Sequence, residues 1–135
     1  MKVTQLDHVA LTVSDPLKSA DWYHSVLGLE RKFQEVWGDY PVVMTAGSTG
    51  VMFFPALITV PADPPDKNET IVMRHLAFRT DGPGLACAQE HLQKRGVPFT
   101  CEDHRIARSI YFADPDGHQL EITTYDLPAP GRGTA

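Results

Sequence analysis

Two runs dense in apolar and β-branched residues, Leu6 to Val13 and Ile71 to Arg79, each lead into a segment with helical spacing. After the first, Asp15-Pro16 supplies an N-cap and the residue best tolerated in a first helical turn. Leu17, Ala20, Tyr23 and Leu27 then recur on one helical face, and Gly28 stops the helix. After the second, Asp81-Gly82-Pro83-Gly84 opens a helix through Leu85, Ala88 and Leu92, closed by Gly96. Behind each helix the pattern turns to short extended runs. In the first half these are Leu29 to Trp37, Val42 to Ala46 and Val51 to Leu57, with turn signals at Gly38-Asp39 and Gly47-Ser48-Thr49-Gly50. In the second half they are Val97 to Cys101, Ser109 to Ala113 and Gln119 to Thr124, with Asp114-Pro115-Asp116-Gly117 as a clear turn. The pattern predicts a β-α-β-β-β module written twice. Module one covers 5–58 and module two 71–126, within one 135-residue domain. The stretch 59–70, TVPADPPDKNET, has no periodicity and reads as an exposed linker, or as a lid over a site. The Pro- and Gly-rich tail 127–135 is expected to fray.

Composition narrows the classes. Apolar residues are 42% and charged residues 21%, ordinary for a folded soluble domain, so disorder, collagen and coiled coil are excluded. No run approaches the ~20 apolar residues of a membrane helix, and no signal peptide is apparent. The net charge is −5 with no basic run, which argues against nucleic acid and anionic membrane as partners. Two cysteines, Cys87 and Cys101, are too few for a disulfide framework and are read as reduced thiols in a cytoplasmic protein.

His8 lies on the first strand of module one and His75 on the first strand of module two, 67 residues on (75 − 8). Glu121 lies on the last strand, 46 residues later (121 − 75). Strand alternation sets their directions. Val9, Leu11 and Val13 are apolar and should face the helix, leaving His8, Ala10 and Thr12 on the other face. Leu76 and Phe78 likewise leave His75 with Met73 and Ala77, and Leu120 and Ile122 leave Glu121 with Gln119 and Thr123. Two imidazoles and a carboxylate form a facial triad for a divalent metal with open positions, the mark of a catalytic site. A lone histidine on a strand is more often a hydrogen-bonded structural residue. It is the repeat-related placement of the pair that favours a metal.

Four stretches carry a family resemblance: Leu6-Asp7-His8-Val9, Tyr23 with Leu27-Gly28-Leu29, Arg74-His75-Leu76-Ala77-Phe78, and Tyr111 through Glu121. By these the chain resembles the vicinal oxygen chelate superfamily, also called the glyoxalase, bleomycin-resistance and extradiol-dioxygenase superfamily. The resemblance runs from Leu6 to about Asp126. It implies an α+β fold in which the modules form a curved mixed eight-stranded sheet with helices on the convex face. It places the metal ligands at His8, His75 and Glu121 and implies a small substrate that chelates the ion through neighbouring oxygens; a homodimer is expected because a single pair of modules leaves sheet edges open to pairing.

Some relatives, glyoxalase I among them, add a ligand on the last strand of module one. Carrying the 46-residue spacing from His8 points to Phe54, in a stretch without ligands, Met52 to Leu57. That stretch offers a greasy wall for an aromatic or aliphatic substrate, or simply core. Fosfomycin-resistance enzymes use three ligands, but have threonine where this chain has Ala10 and need cations, for which Arg105 and Arg108 are the candidates. Extradiol dioxygenases share the spacing of His104, Ile110-Tyr111, Asp114 to Gly117 and Glu121. This chain departs from them at Glu102 and in having no histidine between His24 and His75. The resemblance thus points to an extradiol-type dioxygenase using Fe(II) or Mn(II), with Tyr111 and His104 as catalytic groups. His104 reads equally as an exposed loop residue in a charged run. The alternatives are a metal-dependent isomerase, lyase or thiol transferase using Zn, Ni, Co, Mn or Mg, and a non-catalytic protein of the bleomycin-sequestering type.

Overall fold

The computed structural model describes residues 1–60 and 62–127. Apart from Leu127, the tail expected to fray lies outside them. The chain divides into two compact units between Ala62 and Asp63. Each is an α+β unit with a four-stranded mixed sheet.

In the first unit, β1 (His8–Val13) leads through α1 (Pro16–Leu27) to β2 (Glu30–Lys32), a one-turn α2 (Gln34–Trp37), β3 (Val42–Ala46) and β4 (Thr49–Pro55). The strand order is β1-β4-β3-β2, with β1 and β4 parallel and the other pairs antiparallel. The Asp15 carboxylate accepts from the amides of Leu17 and Lys18, and Gly28 closes α1 at φ 72°. The inward face of β1 and β4 carries the buried Leu11, Val13, Val51 and Phe53, and α1 packs on β3 and β4. The Tyr23 and Phe53 rings, both fully buried, lie 4.8 Å apart at the centre of that core. His8, Ala10 and Thr12 point to the opposite, open face, as alternation requires.

One element differs from expectation. The strand predicted from Leu29 to Trp37 stops at Lys32, because Phe33 adopts a left-handed backbone at φ 65°. That conformation ends pairing and starts a helical turn, in which Phe33 and Trp37 sit four residues apart with rings 5.5 Å apart.

The second unit repeats the plan with β5 (Leu76–Arg79), α3 (Gly82–Lys94), β6 (Thr100–Asp103), β7 (Arg108–Ala113) and β8 (Gln119–Thr124), ordered β5-β8-β7-β6. Helix α3 packs on β7 and β8 through Leu85 and Leu92, over Ile110, Phe112, Leu120 and Ile122. Its N-terminus is held by the Asp81 carboxylate, which accepts from the Gly84 amide, and by Asp126, which accepts from Gly82. The strand predicted over Ile71 to Arg79 begins only at Leu76, so His75 immediately precedes β5. Its partner β8 starts at Gln119, which leaves residues 71–74 no strand to pair with. Cys87 and Cys101 are free thiols. No helix among the described residues is long and apolar enough to cross a membrane.

Candidate functional site

The open face of the second sheet carries a line of polar side chains where a purely structural sheet would be bland. Tyr111 pairs across the ladder with Glu121, and Ala77 lies on Glu121's other side. The turn between β7 and β8 sets this register. The buried Asp114 carboxylate accepts from the amides of Asp116 and His118, and Gly117 supplies a left-handed residue at φ 90°.

Glu121 is only 7% exposed. Its Oε2 lies 2.8 Å from His75 Nε2. Burying a carboxylate is costly unless it is paired, and here the partner is itself a metal-binding residue type. Two ligands held at ~2.1 Å on adjacent octahedral positions stand about 3.0 Å apart. The observed separation therefore suits one edge of a metal site, and imidazole with carboxylate is a donor set that first-row divalent ions accept. In the first unit, His8 Nδ1 lies 2.7 Å from Asp7 Oδ2. An ionised carboxylate only accepts, so Nδ1 carries the proton and Nε2 keeps its lone pair for a ligand bond. Among the described residues no group of three or more His, Cys, Asp or Glu side chains is placed to hold a metal ion. Module two supplies two of the expected ligands and module one supplies one.

Beyond Glu121 the line continues. Tyr111 Oη is 2.9 Å from His104 Nε2, which in turn lies 3.7 Å from Glu102 Oε2. The His75 and Tyr111 rings meet edge to face at 5.6 Å. Burial first, and then the negative Glu121 that the phenol faces, push the Tyr111 hydroxyl above the usual phenol range. Tyr111 is therefore a protonated donor at neutral pH. The phenol and His104 Nε2 share a hydrogen bond in which the imidazole tautomer sets which of them donates. His104 follows β6 directly, and its backbone amide donates to the Ala107 carbonyl at 2.8 Å. It is thus held at the neck of a tight β6–β7 turn, not on a long loop.

A cavity of about 580 Å³ opens over this line, and Lys67, Arg74, His75, His104 and Tyr111 reach it. Arg105 and Arg108, the cations expected for a phosphonate, do not line it. Arg105 is exposed in the turn, and Arg108 faces the α3 side. The cations present are Arg74 and Lys67. Arg74 donates to the Lys67 carbonyl and the Asn68 side chain, each at 3.2 Å, which ties the linker turn to the site. Arg74 stands next to a candidate ligand, and that adjacency was the signal available in the sequence. Lys67 had none.

In the first unit, Met52 pairs with Ala10, two residues after His8, just as Glu121 pairs with Ala77, two residues after His75. The repeat position of Glu121 is therefore Met52 and not Phe54. The spacing from the histidine is 44 residues (52 − 8) rather than 46: the hairpin from Val43 to Met52 is one residue shorter than that from Tyr111 to Glu121 (52 − 43 = 9 against 121 − 111 = 10), and the segment from Ala10 to Val43 is one shorter than that from Ala77 to Tyr111 (43 − 10 = 33 against 111 − 77 = 34). Neither residue is a ligand, so the expectation of no fourth ligand on this strand is unchanged.

The fold has known counterparts. The chain is 30% identical over 124 residues to glutathione transferase FosA of Serratia marcescens, covering 92% of this chain and 83% of that one. It is 26% identical to metallothiol transferase FosB of Staphylococcus epidermidis, over 94% of this chain and 86% of that one. A glyoxalase/dioxygenase structure from Nostoc punctiforme shares the fold with a TM-score of 0.78 at 24% identity, covering 92% of each chain. Residues 5–122 match the sequence model of the Glyoxalase/Bleomycin resistance protein/Dioxygenase superfamily, and the chain belongs to that superfamily.

Proposed function

We propose that the protein is a divalent-metal enzyme in which His8, His75 and Glu121 hold the ion, and Tyr111 with His104 handles a proton at the bound substrate. The single observation that carries this reading is the continuous line His75, Glu121, Tyr111 and His104, with successive contacts of 2.8 Å at one end and 2.9 Å at the other. The ion, when bound, supplies Lewis acidity for a substrate offering two neighbouring oxygens. The protein's own groups do the rest. Asp7 orients His8, and Tyr111 donates its phenol proton to a substrate oxygen. A protonated His104, stabilised by Glu102 beforehand, returns a proton to Tyr111 from Nε2 and is left as neutral imidazole. Arg74 and Lys67 offer positive charge to an acidic substituent. Edge strands in each sheet support assembly as a homodimer.

Extradiol-type ring cleavage with Fe(II) or Mn(II) is the chemistry that the His104–Tyr111 pair supports, since it requires a proton shuttle next to the substrate oxygens. A second reading, metal-dependent thiol transfer, is favoured by the similarity to FosA and FosB and by the cationic cavity wall. One experiment separates them. Metal-depleted protein is reloaded anaerobically with Fe(II) and given a catechol panel, or reloaded with Mn(II) and given glutathione with an epoxide. O₂ consumption with a yellow product supports ring cleavage. Thiol consumption without O₂ uptake transfers the proposal to the second reading. Full metal occupancy in His75→Ala removes the metal assignment itself.

A further inference from the structure

The first unit has its own cavity, of about 620 Å³, along the open face of its sheet and beside His8. Its character is opposite to that of the second. Phe33, Trp37, Met52 and Phe54 wall it. Phe33 is 48%, Trp37 46% and Phe54 41% exposed, whereas the core rings Tyr23 and Phe53 are fully buried. Three large apolar side chains therefore stand half in water on a concave surface, an unfavourable arrangement unless something apolar covers them.

The short helix α2 explains little else. It buries no residue of its own, and it is entered through Phe33 in the left-handed region at φ 65°, a conformation that costs energy for a bulky side chain. What it does is bring the Phe33 and Trp37 rings together, 5.5 Å apart and tilted by 58°, at the cavity wall. The charged groups at the rim are already paired. Lys32 Nζ lies 3.4 Å from Glu30, and Asp7 lies 2.7 Å from His8. The wall thus presents a neutral apolar surface, and its volume fits a group of one or two rings.

We infer that Phe33 and Trp37 form an aromatic clamp that selects substrates carrying a flat, uncharged aromatic group next to their metal-binding oxygens. The inference rests on the metal assignment above for the position of those oxygens beside His8. The clamp itself does not need the ion, and this makes the two claims separable.

The test uses metal-depleted full-length protein titrated with 2-naphthol, and with cyclohexanol as a non-aromatic control. Binding is measured by calorimetry, and the indole N–H resonances of Trp37 and Trp22 are followed. The expected result is saturable one-to-one binding of 2-naphthol, a shift at Trp37 and not at Trp22, and much weaker binding of cyclohexanol. Trp37→Ala and Phe33→Leu, the second of which keeps apolar bulk while removing the ring, should each weaken 2-naphthol binding by about tenfold. No saturable binding, wild-type affinity in both clamp variants, or a shift centred on Trp22 overturns the clamp. If 2-naphthol binds as expected but His75→Ala keeps its metal, the metal assignment falls and the clamp stands.

Discussion

The two units share one plan and have diverged on one face. Both have the order strand, helix, three strands, and both cap the helix with an aspartate. Both turn an apolar face to that helix. The open faces can be compared position by position through the ladder. Glu121, Tyr111 and Thr100 are successive cross-strand partners in the second unit, and their counterparts in the first are Met52, Val43 and Lys32. One scaffold therefore carries the titratable pair Glu121 and Tyr111 in one copy and the apolar pair Met52 and Val43 at the matching positions of the other. The helix-facing positions cannot vary this way, because a polar group there would be buried without a partner. On the open face a polar side chain can find a partner, as Glu121 does in His75, so this is the face on which the two repeats differ.

The largest expected effect breaks the comparison at its polar end. Glu121→Gln should abolish stoichiometric divalent-metal binding, measured by elemental analysis of the folded variant. Met52→Leu at the matching position should leave metal content unchanged. Equal metal content in wild type and Glu121→Gln would place the ion elsewhere.

Next come the proton carriers. Tyr111→Phe and His104→Ala should each lower turnover by about 10² to 10⁴ with metal still bound, the usual worth of positioned acid–base groups. A loss of metal in either variant would show that the line supports the ion and not the proton.

The third probe sits in the shared part of the plan. Phe53→Ala should destabilise the protein by about 3–5 kcal/mol in denaturant unfolding, since it opens a cavity beside Tyr23. A cost below about 1 kcal/mol would mean that the first unit does not depend on this core.

The smallest effect sharpens the module-one ligand. Asp7→Ala should weaken metal affinity by about 10- to 100-fold, as loss of a histidine-orienting carboxylate does, without changing stoichiometry. Unchanged affinity would mean that the 2.7 Å contact does not position His8.

Much of this was legible in the chain itself. Aspartate caps, closing glycines and apolar periodicity are local signals, and they located the two main helices and most strands. Strand alternation is equally local, so it placed His8 and Glu121 on the open faces, where the structure has them. The tertiary structure alone decided whatever depends on register and turn geometry. One residue fewer in the β3–β4 hairpin and one fewer in the segment before it moved the repeat position of Glu121 from Phe54 to Met52. The left-handed Phe33 converted a predicted strand into the turn that carries Trp37. The tight turn after β6 put His104 against Tyr111, and the tie from Arg74 to the linker brought Lys67 to the cavity in place of Arg105 and Arg108. The physical reason is the same throughout. Which face a side chain takes follows from its neighbours in sequence, but which side chain stands opposite it follows from how many residues each turn consumes and which dihedrals those residues adopt.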